Sequence, residues 1–454
     1  MISSRITKRF MVALADFIIL DFSLYLSLCL RALSIIDINK FLSVFYPFLI
    51  IIIATICIFY MYGLYDKMTV RIYNELDKRI ISSILLSSIL GAIIFYGSHI
   101  FSIAPKTILV IYILIAGFLI FIWRKYARIF VKSHMDNKIL LVGSGEELKE
   151  LKEELDNNQI INAKKVDIID LSTYRDLDIY TKIKNKIQNE GFNVLAINMH
   201  HQYVKNDIAL FYELLLENVN IINFANLYEE VLGKIPLENI DAGWFFNNLY
   251  DKQNKFYEKT KRLVDIILSL PAFLISLIFY PIVFVVIKIQ DGGNVFYISE
   301  RIGKNNKPFK LYKFRSMTDV KSDKIDVASK SEASRVTKFG DFIRKTRIDE
   351  LPQLINVLKG DISLIGPRPE LPKLVTEYSN QIPFYGIRHT ITPGLSGYAQ
   401  IYQDQKSVPK FGLSTDATKI KLSYDIFYLK HRSFVLDISL MIKTVRVLIG
   451  KTGL

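Results

Sequence analysis

Apolar positions follow two different rhythms along this chain. In the first third they form continuous runs, at about 11–30, 42–64, 80–104 and 107–123. Each is near the length that crosses a bilayer core, so 1–132 predicts four transmembrane helices. Asp16 and Asp21 interrupt the first run. Acids inside a span are costly; they mark function, a helix–helix contact or a headgroup-level position. From Asn137 short apolar runs alternate with amphipathic ones. KILLVGSG reads as a buried strand ending in a glycine turn and EELKELKEEL as a helix. VDIIDL, NVLAINM and NIINFA read as further strands. This predicts a Rossmann-like α/β domain over 137–235. A linker is expected at 236–260, with Trp244, Phe245 and Phe246 in it. The remainder, 261–454, reads as mainly helical and opens with the uncharged run Ile266–Ile287, interrupted by Pro271 and Pro281. The fold class expected is membrane α plus α/β.

Charge refines this picture. Hydrophobic residues make up 51% of 454, and the formal net charge is +14. That balance suits an anionic membrane surface or an anionic substrate; the apolar runs favour these over nucleic acid. Basic residues cluster before the first run (Arg5, Lys8, Arg9), after the second (Lys67, Arg71, Lys78, Arg79) and after the fourth (Arg124, Lys125, Arg128, Lys132). By the positive-inside rule both ends of the four-helix unit are cytoplasmic. The run 266–287 has basic residues on both flanks: Lys261 and Arg262 before, and Lys288, Arg301, Lys304 and Lys307 after. With its prolines, that predicts a hairpin-like helix entering and leaving one leaflet. Cys29 and Cys57 both lie in apolar runs, and no disulfide framework or cysteine metal site is readable from them. No cleavable signal is expected, because the first run lacks a small-residue cleavage motif.

The densest chemistry lies in RIDELPQLINVLKGDISLIGPRPE, Arg347 to Glu370. Leu351, Leu354, Ile355 and Leu358 recur at helical spacing. They predict a short helix with Pro352 in its first turn and Gly360 as C-cap. Asp349 is then the expected N-cap, with Glu350 just inside. A helix N-terminus favours an ionised Asp349 and attracts phosphate. Adjacent helical residues point roughly 100° apart, so the two carboxylates need not share a proton. One can attack while the other holds a cation. Arg368, between Pro367 and Pro369, is pre-positioned for an oxyanion. Isolated Asp-Glu pairs are mostly solvated helix starts. This set together points to phosphoryl transfer with a divalent metal.

The whole string resembles the signature of the bacterial sugar transferases, the polyprenyl-phosphate hexose-1-phosphate (phosphoglycosyl) transferases, in their large form. Matching pieces continue in LYKFRSM (311–317), ITPGLSGYAQI (391–401) and YDIFYLKHRSFVLDISLMIKT (424–444). The resemblance covers Lys261 to the C-terminus and implies a re-entrant membrane helix, 263–288. The family's usual break aligns with Leu277-Ile278, whereas the nearest proline is Pro281. It implies transfer of a sugar-1-phosphate from a UDP-sugar to undecaprenyl phosphate, with release of UMP. That step would initiate capsule, exopolysaccharide, lipopolysaccharide or other glycoconjugate synthesis on the cytoplasmic face of the bacterial inner membrane. It assigns Asp349 as nucleophile, giving a covalent aspartyl-phosphosugar, Glu350 as holder of Mg²⁺ and Arg368 as phosphate-binding. Arg344 and Arg301 are further phosphate-contact candidates, and Lys313 and Arg315 donor or membrane contacts. Pro393, Gly394, Gly397 and Gln400 would shape the sugar-nucleotide pocket. A homodimer through the α/β domain is also implied.

Two other readings compete. Gly143-Ser144-Gly145 begins a dinucleotide fingerprint, as in a membrane-anchored NAD-dependent nucleotide-sugar dehydratase or epimerase, but Leu148 replaces the third glycine. Tyr180 and Lys184 have the Y-x-x-x-K spacing of such enzymes, yet lie too near the glycine turn in a charged helical stretch. A scaffold carrying an inactive transferase domain is the other; the intact Asp349-Glu350 and Arg368 argue against it.

Overall fold

The computed structural model describes residues 2–62, 64–65, 70–97, 106–131, 137–157, 163–173, 179–199, 204, 211–249, 255–317, 336–403 and 414–449. The polar stretch 320–335 lies outside the described residues. Four helices open the chain: α1 (Ile2–Ala32), α2 (Ile38–Met61), α3 (Val70–Gly97) and α4 (Lys106–Val131). Among the described residues, three stretches are long and apolar enough to cross a membrane: Met11–Ala32, Ile38–Met61 and Thr107–Lys125. Within α3, the apolar stretch among the described residues, Arg79–Phe95, is shorter than these. Three of the four expected spans thus meet the length. The helices pack around Leu24, Phe48, Ile52, Ile80 and Ile120. Ile18, Phe22, Ile53, Leu114 and Phe118 face outward, the arrangement of a bundle solvated by lipid. Asp16 is fully buried and pairs with Arg124 of α4; it also accepts from the Tyr65 hydroxyl at 2.7 Å. Of the roles open to it, Asp16 takes the helix–helix contact.

Next come β1 (Asn137–Gly143), α5 (Glu146–Asn157), β2 (Ala163–Asp170), α6 (Ile179–Glu190), β3 (Val194–Ile197), α7 (Phe211–Leu216), β4 (Asn220–Asn223) and α8 (Phe224–Leu232). The strands form one parallel sheet in the order β2-β1-β3-β4. The order reverses between β1 and β3, the place where such sheets hold ligands. The expected turn is there, with Gly145 at φ +79°. Leu148, in place of the third glycine, is fully buried against the sheet. The chain itself engages the turn. Ser144 N donates to Asn239 Oδ1 at 3.0 Å, and Asn239 Nδ2 donates to Ser144 O and Glu147 Oε2, each at 3.0 Å. Glu238 N donates to Glu147 Oε2 at 3.1 Å. Burial, with some help from the Glu238 charge, pushes the Glu147 carboxyl up to about 7. Tyr180 and Lys184 are both tied to Glu213, at 2.9 and 3.1 Å, on the surface.

The stretch after α8 is packed. Ile235, Trp244 and Phe245, the last two on α9 (Ala242–Leu249), are buried against Tyr378, Tyr385, Leu422 and Ile426. Ile235 N donates to Ser423 O at 3.2 Å, and Lys430 pairs with Glu229 at 2.7 Å. The α/β domain is therefore fastened to the C-terminal part by core contacts and ion pairs together.

That part begins with α10 (Lys255–Ser276) and α11 (Phe279–Asp291), bent by 51° at Leu277-Ile278. Pro271 does not interrupt the run as expected; it sits inside the continuous α10. At the break, Ile278 N and Tyr280 N each bond three residues back, to Ile275 O and Leu277 O at 3.2 Å. The missing N–H of Pro281 then falls in the first turn of α11, where no partner is needed. β5 (Phe296–Ile302) and β6 (Pro308–Phe314) form an antiparallel hairpin. α12 (Lys338–Lys345), α13 (Gln353–Lys359), β7 (Ser363–Ile365), α14 (Pro372–Gln381), β8 (Gly394–Ser396), α15 (Tyr398–Tyr402), α16 (Thr415–His431) and α17 (Phe434–Ile449) complete the chain. β7 and β8 pair in parallel, and α17 lies against α2.

Candidate active site

Asp349 and Glu350 lie in a 3₁₀ turn, Ile348–Glu350, between α12 and α13. The expected N-cap is therefore absent: α13 starts at Gln353, its N-cap position is Pro352, and no side chain caps it. Proline is the reason. Pro352 has no N–H to return to Ile348 O, so Leu351 N takes that carbonyl at 3.2 Å, a three-residue bond. Arg347, at φ 60°, turns the chain into this segment. The inward face of α13 also differs from the one expected. Of Leu351, Leu354, Ile355 and Leu358 only Leu354 is buried; Gln353, Asn356 and Val357 are buried with it. Gly360 is the C-cap, as the pattern predicts, at φ 94°.

The inward Asn356 locates the neighbouring strand. Its Oδ1 accepts from Tyr312 N at 3.1 Å, and its Nδ2 donates to Lys310 O at 2.7 Å and Asp361 Oδ2 at 2.9 Å. The next residue of β6, Lys313, then reaches Glu350 Oε1 at 2.9 Å. Arg368 Nη2 reaches the same oxygen at 2.7 Å, and Arg347 Nη1 stands 3.8 Å from it. Burial alone would raise the Glu350 pKa, but Arg368 and Lys313 outweigh it and hold the carboxyl far below its usual range. Burial weakens the hold of Lys313 on its own proton. Asp349 is 7% exposed, and its Oδ1 is buried without a hydrogen-bond partner. Burial and then the Glu350 charge push it up to about 6, against the pull of Lys313, Arg347 and Arg344. The carboxylates thus differ sharply: Glu350 is clamped and anionic, while Asp349 is enclosed, uncommitted and poised near neutrality. They do sense each other, which their expected angular separation had left out.

The remaining candidates divide. Arg301 is half-buried on β5 and donates to Pro369 O at 3.4 Å, beside Arg368. Arg344 is exposed on α12 and contributes charge at longer range. Arg315 turns elsewhere, with Nε donating to Met317 O at 3.0 Å and the guanidinium against Gly293. Gly394 and Gly397 pack on the Arg368 loop: a Cβ on Gly394 would meet Gly366 N at 2.0 Å, and one on Gly397 would meet Gly366 O at 2.6 Å. Pro393 O accepts from Ser363 N at 2.8 Å, and Gln400 Oε1 is buried without a partner.

Sequence reasoning passed over Asn356, Glu370 and Arg388. Burial would raise the Glu370 pKa; Lys421 and Arg388 outweigh it and hold the carboxyl at about 2. The signals were an asparagine on an apolar helix and charged residues beside recognisable motifs. Among the described residues no group of three or more His, Cys, Asp or Glu is gathered to cage a metal. The donor set that exists, a clamped carboxylate beside one with a bare buried oxygen, fits Mg²⁺, which takes one or two carboxylates and completes its shell from phosphates and water.

Below the dyad, Ile348 and Leu351 pack on a cluster of Val283 and Ile287 from α11, Val295, Phe314 and Ile343. On α10, Arg262 donates to the Val357 and Leu358 carbonyls, capping the end of α13, and Asp265 Oδ1 accepts from Leu364 N at 3.1 Å. Both arms of the bent pair therefore grip the body that carries the dyad. Elsewhere the pair exposes Ile267, Leu274, Ile275, Ile282, Phe284 and Ile289.

Residues 256–451 match the family described as bacterial sugar transferase. A UDP-N-acetylgalactosamine-undecaprenyl-phosphate N-acetylgalactosaminephosphotransferase of Aeromonas hydrophila is 35% identical over 241 residues, 52% of this chain and 54% of that protein. An uncharacterized sugar transferase, EpsL, of Bacillus subtilis is 36% identical over 194 residues, 43% of this chain and 89% of that protein. A UDP-glucose:undecaprenyl-phosphate glucose-1-phosphate transferase of Xanthomonas campestris is 34% identical over 234 residues, 50% of this chain and 46% of that protein. The chain thus spans about half the length of the two relatives named for a substrate.

Proposed function

Since the chain belongs to the bacterial sugar transferase family, we propose that it moves a sugar-1-phosphate from a UDP-sugar to undecaprenyl phosphate at a membrane surface. The observation that carries the reading is the pairing of a buried, uncommitted Asp349 with a Glu350 clamped by Lys313 and Arg368. An ionised Asp349 oxygen attacks the sugar-bearing phosphorus of the donor. The bond from that phosphorus to the bridging oxygen breaks, and UMP leaves with the oxygen. An oxygen of undecaprenyl phosphate then attacks the same phosphorus, the aspartyl–phosphorus bond breaks, and the Asp349 carboxylate is restored. Arg368 and Lys313 supply positive charge where the phosphoryl oxygens gather it. Mg²⁺, held by Glu350 and the donor phosphates, would neutralise the diphosphate and the departing UMP.

The bent pair supports a re-entrant placement. Its two arms are anchored to one body, so a membrane entered by α10 is left by α11 on the same side. The dyad then stands at the bilayer plane, where the lipid phosphate lies. The basic flanks favour the cytoplasmic face of the inner membrane. In this reading the product begins a cell-surface glycan, and a second copy of the chain binds through the α/β domain; mass in native nanodiscs tests the dimer. The relatives are named for different sugars, which leaves the donor sugar to experiment.

The test is UMP release over a panel of UDP-sugars with undecaprenyl phosphate and Mg²⁺. With donor radiolabelled in the sugar and no acceptor, wild type should retain label on protein and Asp349→Asn should not. Turnover by Asp349→Asn near the wild-type rate would point to direct attack by the lipid phosphate, without a covalent intermediate. Bound NAD in the purified protein would revive the dehydratase reading, against which the engaged glycine turn already weighs.

A further inference from the structure

The loop from Gly366 to Glu370 is held at every residue. Gly366 N donates to Ser396 O at 2.9 Å, and Pro367 O accepts from Gly394 N at 2.9 Å. Arg368 O accepts from Arg388 Nη2 at 2.9 Å, Pro369 O from Arg301 Nη1 at 3.4 Å, and Glu370 O from Ile302 N at 3.0 Å. One of these holders is a guanidinium almost shut off from solvent: Arg388 is 2% exposed. Burying such a charge is costly unless its geometry is well matched. Its partners are Asp425 Oδ2 on α16 at 2.8 Å, the Tyr385 hydroxyl at 2.9 Å and Glu370 Oε1 at 3.7 Å.

The place where this charge acts is specific. Pro367 and Pro369 restrict the backbone on either side of Arg368. Pro369 narrows the ψ of Arg368 most, so the main freedom left there is φ, and rotation about it carries the carbonyl and the side chain together. A donor fixed on that carbonyl fixes the peptide plane, and with it the base from which the guanidinium extends 2.7 Å to Glu350. We infer that Arg388 is a positioning residue: through the Arg368 carbonyl it aims the Arg368 guanidinium at Glu350 and at the phosphates of the donor. The inference rests on the phosphoryl-transfer reading of the dyad. Arginine is needed because its fork reaches the carbonyl, Asp425 and Tyr385 together. A lysine ammonium is a point charge and would satisfy fewer of them.

The experiment uses the full chain in nanodiscs, with Arg388→Lys, Arg368→Lys and the double variant, and a UDP-sugar that wild type accepts. Arg388→Lys should lower kcat for UMP release by about 100-fold, the scale of a small misplacement at a reacting centre, with the KM for undecaprenyl phosphate unchanged. The double variant should be no slower than Arg368→Lys alone, because Arg388 acts only through Arg368. Amide exchange over 366–371 should speed up in Arg388→Lys while that of α13 stays as in wild type. Asp425→Asn keeps the guanidinium but loosens it; if Arg388→Lys does not fold, this variant should show the same non-additivity. Effects that multiply in the double variant, or unchanged exchange at 366–371, would overturn the inference. Wild type that releases no UMP from any donor would sink the parent reading instead, and the exchange data alone would then decide whether Arg388 holds the loop.

Discussion

Asp349 and Glu350 are neighbours in the chain, yet the structure gives them opposite electrostatics. Glu350 meets two cations within hydrogen-bond reach, whereas Asp349 is buried with an unpartnered oxygen and feels the Glu350 charge. A nucleophile must be ionised, so a carboxyl held at about 6 sets a pH limit. The expected outcome is single-turnover UMP release that falls as pH drops through about 6. Leaving out the lipid acceptor keeps its own phosphate titration from intruding. A rate that is flat down to pH 4.5 would mean that Asp349 is not the group that attacks. Glu350→Gln removes the nearest anion from Asp349, so the surviving activity should have its acid limb at lower pH. It should also need more Mg²⁺, because an amide is a weaker ligand than a carboxylate. An acid limb that stays in place would separate the two carboxylates electrostatically, contrary to their packing.

At the level of elements, legibility followed distance along the chain. Asp349, Glu350 and Arg368 were readable because they sit in one contiguous string with its punctuating prolines. Asn356 was hidden in an apolar helix, and Arg388 and Asp425 act from elements that only folding brings to the Arg368 loop. The expected N-cap failed for a local reason, since one absent N–H at Pro352 turned a helix start into a 3₁₀ turn. Pro271 misled in the opposite direction, a lone proline tolerated within α10. Two glycines now separate fold from chemistry. Gly145→Ala meets a positive φ and the movable end of Glu238, 2.1 Å from the new Cβ. It should cost about 1–2 kcal/mol of stability and lower the melting temperature. UMP release per folded molecule should be close to wild type. Gly394→Ala pushes on backbone, 2.0 Å from Gly366 N, in the segment that carries Arg368. It should therefore cut UMP release at least tenfold in the molecules that still fold, the low end of what a misaimed phosphate ligand costs. Equal activity losses from the two substitutions would mean that the Gly366–Gly394 contact has no special link to the site.

At the scale of the whole molecule, the succession of apolar helices, then a parallel α/β sheet and then a further mixed part was legible from hydrophobic rhythm, since the first two each repeat their own period. Their fastening to one another was not. Glu229–Lys430, Ile235–Ser423 and the α17–α2 packing join residues with no sequence signature of their partners. The bent pair α10–α11 combines both lessons. By composition it passes for a span, but a 51° bend and the grip of both arms on the dyad's body argue for entry and exit on one side. Topology distinguishes these outcomes directly. Lys304 is exposed, just beyond β5 and the second arm. If the pair is re-entrant, Lys304 lies on the same side as the chain after Arg124, which the positive-inside rule places in the cytoplasm. A single cysteine at Lys304, in a background lacking Cys29 and Cys57, should then resist a membrane-impermeant thiol reagent in intact cells and react once the membrane is opened. Ready labelling in intact cells would make the pair a broken span. Arg301, Lys313 and the dyad that they surround would then stand on the far side from the chain after Arg124, cut off from a cytoplasmic donor, and the proposed reaction would have to be abandoned with the topology.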